Sequence, residues 1–455
     1  LFMSKIKSQF ICKNCQNITS KWSGKCDNCN SWNSIEEYNN NIKSANFSNK
    51  RFKISNTELN IKKLGEDSED YQRYSTNISE LDRCLGGGLV SGSVTLIGGD
   101  PGVGKSTLLL QVLANLAQNQ LETLYISGEE SVNQINIRAE RLNITNSNID
   151  ITTNTNVSDI VNFLHKNKSK KIILVDSIQT TFMTEIGAAP GSVNQLRHSV
   201  LEFAELAKKM NLIFILIGHV TKDGQLAGPK LVEHMVDTVL YFEGDKASNL
   251  RILRSHKNRY GATNEIAIFE MQKNGLQEIT NPSEIFLDEY NAKSIGSTIF
   301  PLAEGTRTIL IELQSLIANS HMATPRRAVD GWDNNRLAII LAVLSNKCQL
   351  NFSQLEVYFN VAGGLKITEP AADLAAAASL ISTIKQQALP QETVIFGEIG
   401  LSGEIRSASK SFERLKEAEK LGFKAAITPK LKKKPKNTNL QIIELTHITE
   451  LLNYF

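Results

Sequence analysis

The stretch SVTLIGGDPGVGKSTLLLQVL, residues 93–113, decides the fold of this 455-residue chain. It begins with an apolar run typical of a buried β-strand, passes through a glycine-rich turn, and ends with leucines and valines at helical spacing. The turn, GDPGVGKST, fits the pattern G-x-x-x-x-G-K-[ST], in which successive backbone N–H groups converge on phosphate oxygens at a helix N-terminus. A phosphate-binding loop is therefore predicted between a strand and a helix.

The loop predicts a site for ATP and magnesium. Lys105 is long enough to reach the β- and γ-phosphates, and Ser106 supplies a hydroxyl for Mg²⁺. The acid that holds this metal through its water shell is expected to be Asp176, which ends the apolar run KIILVD at 171–176. The predicted nucleotide-binding residues are Gly99, Asp100, Pro101, Gly102, Val103, Gly104, Lys105, Ser106 and Thr107.

Hydrolysis also needs a group that orients the attacking water. Glu129 and Glu130 end another apolar run, in ISGEES, and both are candidates for this general base. Either one could instead cap the helix that follows. His219 ends the apolar run at 212–220, where it is a candidate sensor of the γ-phosphate or an ordinary core histidine.

The sequence pattern divides the chain into four parts. Residues 73–280 alternate short apolar runs with amphipathic stretches, which predicts an α/β fold with a mostly parallel sheet covered by helices. TVLYF, LRILRSH and EIAIFEM predict an antiparallel edge on that sheet. Residues 285–455 predict a separate α+β domain, and the polar residues 36–72 predict a linker behind a front module at 8–35.

The front module contains two cysteine pairs, Cys12-x-x-Cys15 and Cys26-x-x-Cys29. Two such pairs facing each other close a tetrahedral four-sulfur site that suits zinc. Because four protein ligands leave no open position, the metal is expected to be structural and to supply most of the folding free energy of the module. A redox pair is the alternative, although no thioredoxin-like pattern surrounds the cysteines.

Composition restricts the partner and the compartment. Fifty Lys and Arg against 47 Asp and Glu give a net charge of +3, so contact with a nucleic acid must use local patches or an internal channel. No apolar run approaches the roughly 18 to 20 residues of a membrane span, so no membrane partner is expected. The clustered cysteines suit a reducing compartment, and a cytoplasmic protein is expected.

Together these motifs give a resemblance to the bacterial RadA (Sms) family over essentially the whole chain. The resemblance is carried by the four cysteines, GDPGVGKST, ISGEES, VDSIQT, APGSVNQLR, AGPKLVEHMVDTVLYFEGD and KNRYG at 257–261. The family usually has Phe at the position of Tyr260, a departure small enough to preserve the motif. The resemblance implies a RecA-like core in a homo-hexameric ring that hydrolyses ATP, binds single-stranded DNA and promotes branch migration of recombination intermediates. It also implies a role in DNA repair, a RecA-type recombinase as partner, and a place at the nucleoid.

The resemblance further implies residue roles. By analogy with RecA-type enzymes, Glu129 is the expected base. In such rings ATP lies between subunits, so Lys257 or Arg259 of a neighbour is a candidate for the cation that stabilises the transferring phosphoryl group. A basic hairpin tip exposed to water is the alternative. The residues expected to couple the ATP state to DNA binding are Lys257, Asn258, Arg259, Tyr260 and Gly261.

Two irregular segments, 180–195 and 221–230, follow apolar runs where RecA-like rings place loops that face the channel. Lys222 and Lys230 are therefore candidates for contacts with DNA phosphates, which would give a strong salt dependence without sequence preference. Ordinary surface loops are the alternative. Further candidates for DNA contact, in the C-terminal region, are Arg326, Arg327 and Arg336.

The C-terminal stretches VAGGLKITEPAADLAAAASL and GEIGLSGEIR resemble the substrate-processing domain of Lon proteases. Active Lon domains carry a nucleophilic Ser before the Ala-rich helix and a Lys that activates it. Here Ala371, Ala372 and Asp373 occupy the loop before that helix, and Phe412 stands near the expected Lys. We therefore expect a proteolytically inactive scaffold. A KaiC-like ATPase that regulates protein partners is the alternative function for the chain, and an ATP-driven protease is a third.

Overall fold

The computed structural model describes residues 10–12, 18–19, 22–26, 32, 35–37, 63, 72–145, 147–219, 231–244, 249–287, 293–433, 435 and 438–455. The chain forms two compact units, residues 1–69 and 70–455. None of the described helices combines the length and the apolar character that crossing a membrane requires.

The first unit is a small antiparallel sheet. Its strands are β1 (Phe10–Cys12), β2 (Ile18–Thr19) and β3 (Ile35–Glu37), with β1 in the centre. Cys12 and Cys26 are buried together with Ile35. Two of the three buried side chains among the described residues of this unit are therefore cysteines, and Phe10 packs against them.

The second unit begins with a short antiparallel pair, β4 (Arg73–Tyr74) and β5 (Leu89–Val90), which flanks the helix α1 (Ser79–Cys84). A large sheet follows. Its described strands are β6 (Val94–Gly99), β7 (Thr123–Ser127), β8 (Ile149–Thr152), β9 (Ile172–Asp176), β10 (Ile213–His219), β11 (Thr238–Gly244), β12 (Leu250–Asn258), β13 (Ile266–Gln272) and β14 (Gly275–Glu278). In space the order is β14-β13-β12-β11-β6-β10-β9-β7-β8.

The six strands from β11 to β8 run parallel, as the alternating pattern predicted. Strands β6, β7, β9 and β10 form largely apolar runs because helices cover both faces of this part of the sheet, whereas the edge strand β8 is only partly buried. Those helices are α2 (Lys105–Gln118), α3 (Val132–Arg141), α4 (Val157–Lys166), α5 (Val193–Met210) and α6 (Leu231–Met235). Leu108 and Val112 of α2 pack in the core on one face, whereas Val200 and Phe203 of α5 pack in the core on the other. Each such side chain contributes about 1.5 to 3 kcal/mol through burial.

The predicted antiparallel edge is confirmed, since TVLYF, LRILRSH and EIAIFEM lie in β11, β12 and β13, and each consecutive pair of these strands is antiparallel. Strand β14 extends the edge, and β11 also pairs parallel with β6 and so joins the edge to the parallel strands. The lengths of the connections explain both kinds of pairing. The 18 residues between β10 and β11 are enough for a crossover that returns the chain to the end of the sheet where β10 began, so β11 can run parallel to β6. Short connections join β11, β12 and β13, so these strands pair antiparallel.

A second sheet follows in the chain. Its described strands are β15 (Ser297–Glu304), β16 (Arg307–Asn319), β17 (Arg327–Asp330), β18 (Leu355–Val361), β19 (Thr393–Ile395), β22 (Ala425–Pro429) and β23 (Gln441–Leu445), while β20 (Glu398–Ile399) and β21 (Ile405–Arg406) form a separate hairpin. The accompanying helices are α7 (Pro282–Leu287), α8 (Asn334–Lys347), α9 (Asp373–Lys385) and α10 (Ser411–Lys420). Helix α9 is buried along most of its length, and its alanines allow it to approach β15 and β16 closely.

Charged residues fasten the two sheets of this unit to each other. The turn between β15 and β16 inserts its tip beside the first sheet, where the Thr306 N–H donates to Glu265 at 2.7 Å and Arg307 pairs with Glu80 at 2.8 Å. Arg83 bridges the same two carboxylates, at 2.6 Å from Glu80 and 2.7 Å from Glu265. Removing Arg83 would leave the buried Glu265 without its cation, so the network holds the hairpin tip in a defined position.

Candidate nucleotide-binding site

The phosphate loop lies where the sequence predicts it, between β6 and α2. Gly102 and Gly104 have φ of +81° and +113°, a region that side chains disfavour. A Cβ on Gly104 would approach the methyl carbon of Met271 to 2.7 Å, but that flexible side chain can move away, so the positive φ is the main reason for glycine there. Lys105 donates to the carbonyls of Gly99 at 2.7 Å and Asp100 at 2.9 Å. Burial lowers the pKa of Lys105, while the nearby carboxylate of Asp176 opposes that shift.

Asp176 ends β9 next to the loop and is almost fully buried. The Tyr125 hydroxyl of the neighbouring strand donates to its Oδ2 at 2.7 Å. Burial raises the pKa of Asp176, and hydrogen bonds from Ser106 and Tyr125 counteract part of that rise. A hydroxyl and a carboxylate oxygen therefore meet at the first turn of α2, and these are donors that Mg²⁺ prefers.

Glu129 is the acid that faces the loop across the sheet edge. Its Oε1 accepts from the Ser177 hydroxyl at 2.5 Å and lies 2.7 Å from Nε2 of His219. Because an ionised carboxylate only accepts, His219 carries its proton on Nε2 in this contact. Burial raises the pKa of Glu129, but the hydrogen bonds from Ser177 and His219 outweigh that effect, so its pKa lies below the ordinary value.

Glu130 has a different environment. Both of its carboxylate oxygens are bound by Arg138 of α3, at 2.6 and 2.5 Å. Neither glutamate caps α3, because Ser131 accepts from the N–H of Gln134 and forms a capping box with it. Glu130 is therefore held in an ion pair with the helix, and Glu129 is the glutamate beside the loop.

These groups line a cleft of about 780 Å³. The phosphate loop forms one wall, the acids and α3 form a second, and the turn between β13 and β14 forms the third. Three residues in or beside this cleft have polar roles that the sequence patterns did not indicate, Tyr125, Arg138 and Ser177. The available signal was weak: Tyr125 is one hydroxyl within an apolar strand, and Ser177 directly follows Asp176 in VDSIQT.

The KNRYG motif lies at the opposite end of the strands from the phosphate loop of its own chain. Asn258 pairs with Thr238, and Thr238 pairs with Thr95 at the start of β6, whereas Gly99 ends β6 four residues later. At roughly 3.3 Å per residue, this places about 13 Å between the two positions along the strand. Lys257 and Arg259 are therefore remote from the nucleotide cleft of the same subunit.

The two cations of the motif differ in their contacts. Lys257 donates to the carbonyls of Glu233, His234 and Val236, at 2.8, 3.1 and 2.7 Å, and so binds the C-terminal end of α6. Burial and the nearby Arg259 guanidinium lower the pKa of Lys257. Among the described residues Arg259 makes one ion pair, to Asp237 at 2.9 Å, and half of its side chain (51%) is exposed. Arg259 is thus the more available cation.

The remaining residues of the motif join it to α1. Asn258 accepts from the Tyr260 N–H at 2.9 Å, and its side-chain NH₂ lies 3.3 Å from the Cys84 carbonyl. A Cβ on Gly261 would approach the Cα of Gly86 to 2.6 Å, so the two turns touch through their backbones. The motif therefore needs glycine at its end for a close backbone contact.

Several predicted residues lie outside the described part of the chain: Lys222 and Lys230, and the zinc candidates Cys15 and Cys29. Of the other two cysteines, Cys12 is 1% exposed and Cys26 is fully buried. In the described part alone, no group of three or more His, Cys, Asp or Glu side chains is arranged to hold a metal. Two buried cysteine sulfurs in one core are the donor type that a zinc ribbon uses, so the described half of the set fits zinc.

In the C-terminal region, two of the three candidate arginines have structural partners among the described residues. Arg336 binds Asp373 through its Nε at 2.8 Å, and Asp373 also accepts from the Ile399 N–H at 3.0 Å. Burial raises the pKa of Asp373, and the bonds from Arg336 and Ile399 counteract that rise. Arg327 donates to the carbonyls of Phe352 and Leu355, whereas Arg326 is exposed.

The position of the Lon nucleophile is filled by small and paired residues. Ala371 and Ala372 are buried at the start of α9, and the fully buried Asp373 beside them is held by its arginine. Phe412, near the expected activating Lys, is exposed on α10. The local geometry at the start of α9 is therefore a structural ion pair between Arg336 and Asp373.

Family models match three parts of the chain. The KaiC ATPase model covers residues 74–163, the model described as subunit ChlI of Mg-chelatase covers 322–432, and a rubredoxin metal-binding domain covers 10–37. The DNA repair protein RadA of Rickettsia bellii is 51% identical, covering 94% of each chain, and that of Brucella abortus is 48% identical over 99% of this chain and 98% of its own. RadA of Bacillus subtilis is 44% identical over 99% of both chains. Among solved structures, a KaiC-like protein of Pyrococcus horikoshii covers 46% of this chain and 99% of its own, with 18% identity and a TM-score of 0.40.

Proposed function

We propose, because the chain belongs to the RadA family of DNA repair proteins, that it is an ATP-driven motor which moves along single-stranded DNA and extends recombination intermediates by branch migration. The family and the KaiC ATPase match make the chain an ATPase of DNA repair. Movement on DNA is the step proposed beyond that.

One observation carries the proposal. His219, at the end of β10, contacts Glu129 in the nucleotide cleft, and Asp237, eighteen residues later, is held by Arg259 of KNRYG. The chain between these anchors contains Lys222 and Lys230. A segment with one end at the hydrolysis site and the other end at the motif is suited to pass a change at the γ-phosphate on to DNA.

Hydrolysis is assigned to the groups around the loop. Lys105 would bind the β- and γ-phosphates, and Glu129 would orient the attacking water and accept its proton. The depressed pKa of Glu129 keeps the carboxylate ionised for that task at neutral pH. Ser106 and Asp176 would hold Mg²⁺, which would neutralise phosphate charge.

We assign Arg259 to the nucleotide that the neighbouring subunit of a hexameric ring binds. It lies about 13 Å along the strand from its own phosphate loop, so it is unsuited to act within its own subunit. Its exposed guanidinium is suited to reach the nucleotide of an adjacent copy. Lys257 is assigned a supporting role, since three carbonyls already bind its ammonium.

We assign the remaining parts by function. The DNA contacts are assigned to Lys222 and Lys230, with Arg326 as an exposed cation in the C-terminal region. A RecA-type recombinase is the proposed partner. Residues 73–280 are proposed as the motor, residues 36–72 as the linker and residues 285–455 as an inactive Lon-like scaffold.

Zinc is the metal proposed for the front module. Cys12, Cys15, Cys26 and Cys29 would bind it as thiolates, and the rubredoxin-type match at 10–37 supports this assignment. The role is structural because the four ligands would complete the tetrahedron.

The second candidate is a KaiC-like regulatory ATPase, which the KaiC model match at 74–163 favours. The response of ATP hydrolysis to DNA distinguishes the motor from the regulatory ATPase. A motor should hydrolyse ATP several-fold faster with single-stranded DNA and should migrate a branched substrate, whereas a regulator of protein partners should do neither.

The test compares two exposed, ion-paired arginines. Arg259→Ala should retain nucleotide binding but lose DNA-stimulated hydrolysis and branch migration. Arg406→Ala is the matched control, since Arg406 is 57% exposed and paired with Glu404 away from the cleft. Normal branch migration by Arg259→Ala, or a turnover rate of the unaltered chain that ignores every DNA offered, would reject the proposal.

A further inference from the structure

Ser177 directly follows Asp176, and its side chain makes a contact to which the proposed hydrolysis assigns no role. Ser177 is fully buried at the end of β9, and its hydroxyl donates to Glu129 Oε1 at 2.5 Å. The same oxygen meets Nε2 of His219 at 2.7 Å. One carboxylate oxygen is thus held between two donors from the neighbouring strands β9 and β10.

The two oxygens of the Glu129 carboxylate therefore have different environments. Among the described residues, no donor contacts Oε2 of Glu129, so that oxygen remains available to a water molecule in the cleft. Two contacts on Oε1 fix both the position and the rotation of the carboxylate plane. A single hydrogen bond to Oε1 would leave the carboxylate free to rotate about that hydrogen bond. A displacement of about 1 Å at a catalytic group is enough to slow a reaction roughly a hundredfold.

Ser177 is itself held in place by the chain around it. Its carbonyl accepts from the N–H of Thr180 at 3.1 Å and from the Thr180 hydroxyl at 2.7 Å, at the start of the 3-10 turn Ile178–Thr180. On the other strand, the Gly128 N–H donates to the Asp176 carbonyl at 2.7 Å. A Cβ on Gly128 would approach the Thr180 hydroxyl to 1.9 Å, so the ends of β7 and β9 are pressed together here. The hydroxyl of Ser177 therefore has little freedom to leave Glu129.

We propose that Ser177 is the positioning residue of the catalytic base: its hydroxyl, together with His219, holds Glu129 so that Oε2 faces the water that attacks ATP. The inference rests on the proposed role of Glu129 as the base. It assigns no chemical step to Ser177, which neither gains nor loses a proton in the reaction.

The test uses the full-length chain and measures kcat and KM for ATP across pH. Ser177→Ala should lower kcat by roughly tenfold and leave KM within about twofold, because the hydroxyl orients the base and does not touch the nucleotide. It should also move the acid limb of the kcat profile to higher pH, since a donor that lowers the pKa of Glu129 is gone.

Two variants keep the result interpretable. Ser199→Ala removes another fully buried serine hydroxyl, on α5, for which no partner exists among the described residues, and should change neither kcat nor the acid limb. Ser177→Cys nearly preserves the volume but donates weakly, so it should move the acid limb in the same direction as Ser177→Ala and carries the test if the alanine variant unfolds.

Glu129→Gln distinguishes the role of Glu129 as the base from the role of Ser177 as its positioning residue. If Glu129→Gln abolishes hydrolysis while Ser177→Ala and Ser177→Cys keep the normal kcat and acid limb, the positioning role is wrong and the base stands. If Glu129→Gln hydrolyses ATP at the normal rate, the assignment of Glu129 as the base is wrong. The proposed role of Ser177 is then wrong too, because it depends on that assignment. A lower kcat of Ser177→Ala without any movement of the acid limb would also overturn the proposal, since a merely structural loss has that signature.

Discussion

Mixing two inactive variants tests whether Arg259 acts across a subunit junction. Lys105→Ala removes the ammonium that the phosphates require, and Arg259→Ala removes the proposed finger. Since the register places Arg259 about 13 Å along the strand from the phosphate loop of its own chain, each variant should damage a different partner of the same junction. Two damaged chains together then contain every group needed for an intact junction.

The expected rate follows from counting junctions. In a ring assembled at random from equal amounts of the two variants, about half of the phosphate loops are intact and about half of the neighbouring arginines are intact. About a quarter of the junctions therefore have both, and hydrolysis should recover to roughly a quarter of the normal rate. Each variant alone should remain at least about a hundredfold slower than the unaltered chain, because arginine fingers contribute roughly 10³ to 10⁵ in kcat.

The assay is phosphate release with saturating single-stranded DNA at constant total protein, at several mixing ratios. Subunit exchange is monitored by native mass spectrometry with one variant isotopically labelled. A mixture of Lys105→Ala with Arg406→Ala is the control for the shape of the mixing curve, since that mixture retains fully intact loops in half of its subunits and intact Arg259 in all of them. Rings that have exchanged subunits yet show no recovery would refute action in trans, and an action within one subunit predicts that outcome.

Three further outcomes are expected. Tyr125→Phe removes a donor from Asp176, so the Mg²⁺ concentration for half-maximal hydrolysis should rise about three- to tenfold at pH 7, measured by magnesium titration; an unchanged value would contradict the role of that hydrogen bond. Removing zinc with a chelator, or Cys12→Ser, should unfold the front module while the motor keeps its basal hydrolysis, followed by metal release and proteolysis of the first unit. Arg336→Met should leave Asp373 buried without its cation and destabilise the chain by about 3 to 5 kcal/mol, measured by denaturant unfolding, whereas no loss would show that the pair is dispensable.

Much of the fold follows from local pattern. The phosphate loop between an apolar run and an amphipathic stretch is a strand-turn-helix unit, and its conformation depends on glycines within a few residues of each other. Four of the parallel strands, β6, β7, β9 and β10, are largely apolar because both faces are covered, so their runs are visible without a structure. The edge strand β8 (Ile149–Thr152) is only partly buried, and the pattern did not predict it. The pattern did not predict that β11 also pairs parallel with β6, because strand direction depends on the path of the connecting chain and both directions suit the same apolar run.

The candidate site shows the same division. Sequence alone predicted that Lys105, Asp176 and a glutamate share one site, because a phosphate loop needs a metal-holding acid and a base, and both acids end apolar runs. The residue pattern itself left Glu129 and Glu130 equivalent, because adjacent acids differ only in what packs beside them, and only the resemblance to RecA-type enzymes favoured Glu129. The tertiary structure gives Glu130 to Arg138 and leaves Glu129 beside Ser177 and His219.

What the sequence determined by itself is therefore the chemistry of this chain: the family, the ATPase and the kinds of residue at its motifs, because these depend on identity and short spacing. What only the tertiary structure decided is which of several equivalent side chains is available. Lys257 and Arg259 are both cations in one pentapeptide, yet three backbone carbonyls bind the first while the second stays half exposed. Availability depends on partners from distant parts of the chain, such as α6 and Asp237, and those contacts exist only after folding.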